Sequence, residues 1–254
     1  MKKILLLLPA VLLTAFALTG CSEDTPTAPA TTDETLTATA TEEATDLDLE
    51  KSRHHDRMAT YEVVIENLTP ATGPGASQPF SPPILASHSG DMHVFRPWRR
   101  ASSEVAGVAE DAMNGPLVDL LTASSRVNDV AVGGDVILPG GSMTLMLEAR
   151  PGQARLSAIF MLVNTNDGFG GLDGMRLPLR GERSWYVPVW DAGSEVNTES
   201  AMDIPGPCCG SPGMGEDEHG RIRLHRGIQG HGDLDVETYG WNRPAARLTV
   251  RRID

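Results

Sequence analysis

Between Val163 and Ser194 the chain reads VNTNDGFGGLDGMRLPLRGERSWYVPVWDAGS. An apolar, β-branched run from Leu156 to Val163 enters this stretch, and a second, Trp185 to Trp190, delivers Asp191-Ala192-Gly193. The two runs have strand character. The segment between them carries Asn164, Asn166, Asp167 and Asp173 among Gly168, Gly170, Gly171, Gly174 and Gly181, and reads as a loop. Glycine enters positive φ without steric cost, so such a loop turns sharply. Six to eight hard oxygens on a sharply turning backbone are what Ca²⁺ requires. Asp167 and Asp191 are the expected carboxylate ligands, Asp173 comes next, and Asn166 or backbone oxygens assist. The bland reading is turn chemistry, in which Asp and Asn bond to their own backbone. Arg176 and Arg183 are the nearest bases that would neutralise the cluster without an ion.

Outward from this stretch, short strands alternate with turn residues. Tyr61 to Leu68 alternates branched or aromatic residues with polar ones and reads as the first strand. Ile84 to Ala86 begins a short extended piece. Asp129 to Leu138, Ser142 to Ala149, Arg221 to His225 and Ala246 to Ile253 are further strands, punctuated by Pro139-Gly140-Gly141 and Pro151-Gly152. One helix is expected after Ser102-Ser103-Glu104, with Val105, Val108, Ala109, Ala112 and Met113 on one stripe. Gly115-Pro116 interrupts it, and Leu117 to Leu121 adds a turn or two. The expected fold is mostly β: an antiparallel β-sandwich with one helix-containing insertion.

The pattern Asn166-Asp167-Gly168-Phe169-x-Gly171-Leu172-Asp173, then an aromatic strand and Asp191-Ala192-Gly193, resembles the spondin amino-terminal domain. That family carries Pro-Asp-Trp-Phe-x-Gly-x-Asp followed by Asp-Ala-Gly. Asn166 and Gly168 depart from it, standing where the family has proline and tryptophan. The resemblance spans roughly Tyr61 to Ile253, but the specific part is Asp167 to Gly193. It implies a sandwich with a helical insertion before the later strands, a Ca²⁺ site at these positions, and a role in adhesion. Animal members are matrix adhesion proteins with thrombospondin-type repeats, which this chain lacks.

The amino-terminal segment reads as an export signal. Lys2 and Lys3 precede the apolar run Ile4 to Leu18, and Leu18-Thr19-Gly20-Cys21 follows. The run is short for a membrane span. Leu-x-Gly-Cys is the bacterial lipobox pattern, so residues 1–20 are expected to be cleaved and Cys21 lipidated. Each buried CH₂ of the acyl chains would contribute about 0.8 kcal/mol of anchoring. Ser22 after the cysteine points to the outer membrane of a two-membrane cell. Residues 21–56 read as a disordered acidic tether: Ser22 to Glu50 holds nine acids and no Lys or Arg. His54-His55 ends it and reads as solvated. Residues 57–254, about 200 in all, form one domain large enough for a real core.

Charge narrows the partners. The formal charge is −13, and −15 once Lys2 and Lys3 are removed. Nucleic acid and anionic lipid are excluded on that balance. The expected partners are the membrane, through Cys21, and an extracellular or envelope protein or glycan.

Other residues admit two readings. Cys208 and Cys209 are adjacent in an exported chain: either two free or externally paired thiols, or a strained disulfide between neighbours. His219, His225 and His231 recur every six residues, which on a continuous strand would align three imidazoles for Zn²⁺ or Cu²⁺. Intervening glycines favour a structural role. Glu216-Asp217-Glu218 reads as a solvated acidic loop. No nucleophile elbow, phosphate loop or dinucleotide fingerprint is present. The leading expectation is a non-enzymatic, lipid-anchored envelope protein. The alternative is an extracytoplasmic metal-dependent enzyme using His88, His93 or the late histidines.

Overall fold

Strict alternation along β1 (Ala59–Asn67) buries Ala59, Tyr61, Val63 and Ile65 and leaves the residues between them half-covered. A strand of period two with one apolar face makes one wall of a sandwich. The computed structural model describes residues 57–71, 78–206, 208–210, 215–241 and 244–254. The expected signal peptide, Cys21, the tether and His54-His55 lie outside them. No helix among the described residues is long and apolar enough to cross a membrane.

Two antiparallel sheets form the sandwich. The first has four strands: β4 (Ser142–Ala149), β1, β10 (Ala246–Arg252) and β7 (Glu182–Val187), in that order. The second has six: β3 (Val127–Val132), β2 (Ile84–His88), β5 (Arg155–Met161), β6 (Gly168–Arg176), β8 (Val189–Asp191) and β9 (Arg223–Leu224). The main core lies between them. Tyr61, Val63, Ile65, Leu147, Leu248 and Val250 come from the first sheet and meet Leu85, Leu156, Ala158 and Phe160 of the second. The mostly β sandwich read from the sequence is the fold observed.

The helical insertion covers the other face of the six-stranded sheet. Helices α1 (Ser103–Asp111) and α2 (Asn114–Thr122) place Val105, Val108, Ala109, Leu117 and Leu121 against Ile84, Ala86, Ile159 and Phe169. β2 is therefore buried on both faces, and β5 nearly so, which gives them continuous burial rather than an alternating pattern. Ser102 caps α1 by accepting the Val105 N–H. The expected stripe stops at Ala109. Ala112 takes φ 55 and closes the helix, and Met113 is exposed.

Three expectations about the strands change. Trp185 to Trp190 is not one strand but two, in different sheets: Val187 ends β7 and Val189 begins β8. Pro188 between them has no N–H to donate, so the ladder breaks there and the chain crosses from one sheet to the other. Asp129 to Leu138 ends early, at Val132, where Gly133 packs against Pro83. The largest change is β6, read as a glycine loop and found as an inner strand paired to both β5 and β8. Its glycines make room for rings: a Cβ on Gly170 would lie 2.2 Å from the Phe160 ring, and one on Gly171 would lie 2.8 Å from that of Phe95. Phe95 and Phe169 meet edge to face at 5.1 Å on the helical side.

Candidate metal centre

Asp167 stands just before β6 and Asp191 ends β8. The ladder sets Asp191 opposite Gly168, so the two aspartates become neighbours. β9 then pairs on the other side of β8, with Arg223 opposite Asp191. The approach to β9 is tied down by two backbone bonds, Glu218 N–H to the Ser194 carbonyl and Gly220 N–H to that of Gly193. Glu218 is thereby carried to the aspartates. One carboxylate oxygen from each of Asp167, Asp191 and Glu218 lies within 4.8 Å of the others.

The environment of each carboxylate differs. Asp167 is fully buried. Its Oδ2 accepts the backbone N–H groups of Ser194 at 2.8 Å and Glu195 at 3.1 Å. Its Oδ1 has no hydrogen-bond partner among the described residues. Burial, and then the charge of Asp191, push its pKa up to about 7. Asp191 accepts from Gly193 N–H through Oδ1, and from Asn197 Nδ2 and Arg223 through Oδ2. Burial raises its pKa as well, against the lowering effect of Arg223. Arg223 bridges Asp191 at 3.0 Å and Glu218 at 2.7 Å. Three carboxylates and one guanidinium leave a formal charge of −2, the complement of one divalent cation. The donors are hard oxygens, which suit Ca²⁺, Mg²⁺ or Mn²⁺ rather than softer metals. The unpartnered Asp167 Oδ1 is the atom an ion would satisfy, because a buried carboxylate oxygen without a donor is costly.

Of the residues picked from sequence, Asp167 and Asp191 are brought together. Asp173 is not. It lies six residues further along β6, on the order of 20 Å away at a strand's rise. Its carboxylate accepts from His93 Nδ1, Val94 N–H and Ser157 Oγ, while His88 reaches the same Ser157 through Nε2. Asn166 turns to another loop, where its Oδ1 accepts Glu199 N–H and its Nδ2 donates to Thr198. Arg183 lies over the Trp185 ring in the other sheet, and Arg176 pairs with Arg155 across β5 and β6. Neither neutralises the aspartates; Arg223 does.

Glu218 and Arg223 were missed. Their signal was faint: a charged triplet near a short apolar run, with nothing linking it to Asp191. The late histidines do not gather. His219 pairs with Asp217 at 3.3 Å, His225 Nδ1 accepts Gly227 N–H beside Trp241, and the His231 backbone is held by Glu199. No histidine joins a metal-sized group among the described residues. Cys208 and Cys209 are bonded to each other, next to a small cluster of Ile204, Ile228 and Leu234.

The fold and site define a β-sandwich protein with a buried acidic group able to hold a metal ion. Neither protein-family models nor curated proteins give a match to the chain.

Proposed function

We propose that this chain is a lipid-anchored envelope protein whose sandwich domain binds Ca²⁺ and acts in adhesion or ligand binding. The observation that carries the reading is the buried Oδ1 of Asp167, orphaned among the described residues, on a carboxylate grouped with those of Asp191 and Glu218. The spondin-like pattern around Asp167 and Asp191 supports Ca²⁺ over Mg²⁺. Asp167, Asp191 and Glu218 would hold the ion. It would join the loop before β6, the end of β8 and the approach to β9, and so rigidify one end of the sandwich for presentation to a partner.

Thermal unfolding in excess chelator and then in millimolar Ca²⁺ tests the site. Asp191→Asn is expected to remove the Ca²⁺-dependent rise in midpoint, and Asp173→Asn, on its own network, to keep it. An equal rise in Asp191→Asn, or none in the parent chain, rejects the site. A Mg²⁺ response as large as that to Ca²⁺ would argue for a loose anionic patch.

The anchor has a separate test. Cys21→Ala is expected to leave the membrane fraction on cell breakage. Retention of that variant in salt-washed membranes would reject lipid anchoring through Cys21.

A further inference from the structure

A cleft of about 350 Å³ opens beside the start of α1. Arg96, Arg99, Arg100 and Arg126 line it, with Asp91 and His93. Two of these side chains, Arg126 and His93, are answered from within the protein. Arg126 lies 3.9 Å from Asp91, and His93 is bonded to Asp173. Arg96, Arg99 and Arg100 make no ion pair or side-chain hydrogen bond among the described residues. The chain has 34 acids against 21 Lys and Arg, a balance that works against extended polyanions, yet none of the described acids answers Arg96, Arg99 or Arg100, so the cluster is locally positive and can meet a short anionic ligand. Guanidiniums gathered without an internal acid present unused N–H forks, the geometry that meets a planar or tetrahedral oxyanion.

The same segment holds an aromatic side chain out in water. Trp98 has φ 67, in the left-handed region that bulky residues enter only under constraint. The constraint is visible: its N–H donates to the Ile222 carbonyl at 2.8 Å, and Arg221 donates to its carbonyl at 3.0 Å. The backbone so fixed leaves Trp98 68% exposed, between Arg96 and Arg99 in the chain. Strain that holds a large apolar group in solvent is a pointer to binding. A sugar ring offers weakly positive C–H groups to the electron-rich indole face.

We propose that Arg96, Trp98, Arg99 and Arg100 bind an anionic saccharide, its sulfate or carboxylate in the arginine cleft and a neighbouring ring against Trp98. None of Asp167, Asp191 and Glu218 lines the cleft. The inference gives a ligand class to the binding role proposed above and rests on that role. The two are read separately, because the ion titration reports on Asp191 and the saccharide titration on the arginines.

The test is calorimetric titration of the full chain with four probes: a sulfated heparin tetrasaccharide, tetragalacturonate, neutral maltotetraose and inorganic sulfate. One or both charged tetrasaccharides are expected to bind, more weakly at high salt, and maltotetraose is expected not to bind. Which charged probe binds decides between sulfate and carboxylate. Arg99→Gln with Arg100→Gln should weaken that binding by about tenfold or more. Trp98→Gly should weaken the saccharide but not inorganic sulfate, and it should melt no lower than the parent, since glycine accepts this φ. Four results would overturn the proposal: no binding of either charged tetrasaccharide, undiminished binding by the double variant, inorganic sulfate bound as tightly as the tetrasaccharides, or capture by phosphatidylglycerol vesicles in place of saccharide.

Discussion

In excess chelator, the unfolding midpoint of this protein is expected to fall as the pH rises from about 5 to about 8. Under the Ca²⁺ reading proposed above, millimolar Ca²⁺ is expected to restore it at the upper pH and to have little effect at the lower. The cause is Asp167, whose pKa burial and Asp191 lift from 3.8 to about 7. A carboxyl group with a raised folded pKa binds more protons folded than unfolded across that interval. Its contribution is full below the unfolded value and is lost as pH climbs through the folded one. The shift sets an upper bound of roughly 4 kcal/mol. Burial also raises the pKa of Glu195 to about 7, which acts in the same direction. Ca²⁺ requires ionised carboxylates, so the proposed stabilisation is expected where the apo protein is weakest. At a hundredfold excess over Kd it amounts to about 2.7 kcal/mol, or roughly 5–10 °C for a domain of this size. Asp167→Asn separates charge from shape. Its amide oxygen can keep the Ser194 and Glu195 bonds while the buried charge disappears. The chelated variant should therefore melt above the parent at the upper pH and ignore Ca²⁺. A midpoint flat with pH under chelation, or a Ca²⁺ response equal at both ends, would remove Asp167 as the controlling group.

Gly193→Ala is expected to destabilise the domain by about 3 kcal/mol or more and to abolish the Ca²⁺ response. Gly193 has φ 68, and a Cβ there would lie 2.5 Å from the Arg221 backbone nitrogen and 2.8 Å from its oxygen. Backbone cannot swing aside as a flexible side chain would. The chain from Glu218 to Arg223 would have to move away, taking with it the Gly220 bond to the Gly193 carbonyl and the β8–β9 pairing. Glu218 and Arg223 would then leave Asp191. Gly174→Ala is the control: φ 68 again, but open space around the position, so only the smaller backbone cost of roughly 1 kcal/mol applies. Equal losses in the two variants would mean that the close approach at Gly193 does not matter. Measured melting curves, with and without Ca²⁺, decide it.

Much of the architecture was readable because it rests on short-range patterns. β1 and β4 show period-two alternation, α1 has its Ser102 cap and apolar stripe, and turn residues separate the strands. β6 was unreadable for a definite reason. Glycine is depleted in strands, and a run holding Gly168, Gly170, Gly171 and Gly174 carries no strand signal of its own. It becomes a strand because Phe160 and Phe95 lie against its faces, supplying across space the cover its own side chains lack. The division of Trp185 to Trp190 was encoded in Pro188, yet a proline says only that a ladder stops, not which sheet receives the next strand.

The carboxylate site divides in the same way. Asp167 and Asp191 could be paired from sequence because each sits in a glycine-flanked turn at one end of a strand. Asp173 looked equivalent in composition, but a strand rather than a loop separates it from Asp167, and the rise of that strand carries it out of reach. Glu218 and Arg223 belong to the site only through a two-residue strand, β9, and the close passage of Gly220 over Gly193. Local sequence determined which residues would turn, cap and alternate, since those depend on neighbours along the chain. Only the tertiary structure decided which charges share a buried volume, because long-range strand pairing and burial set the distances and the dielectric between them.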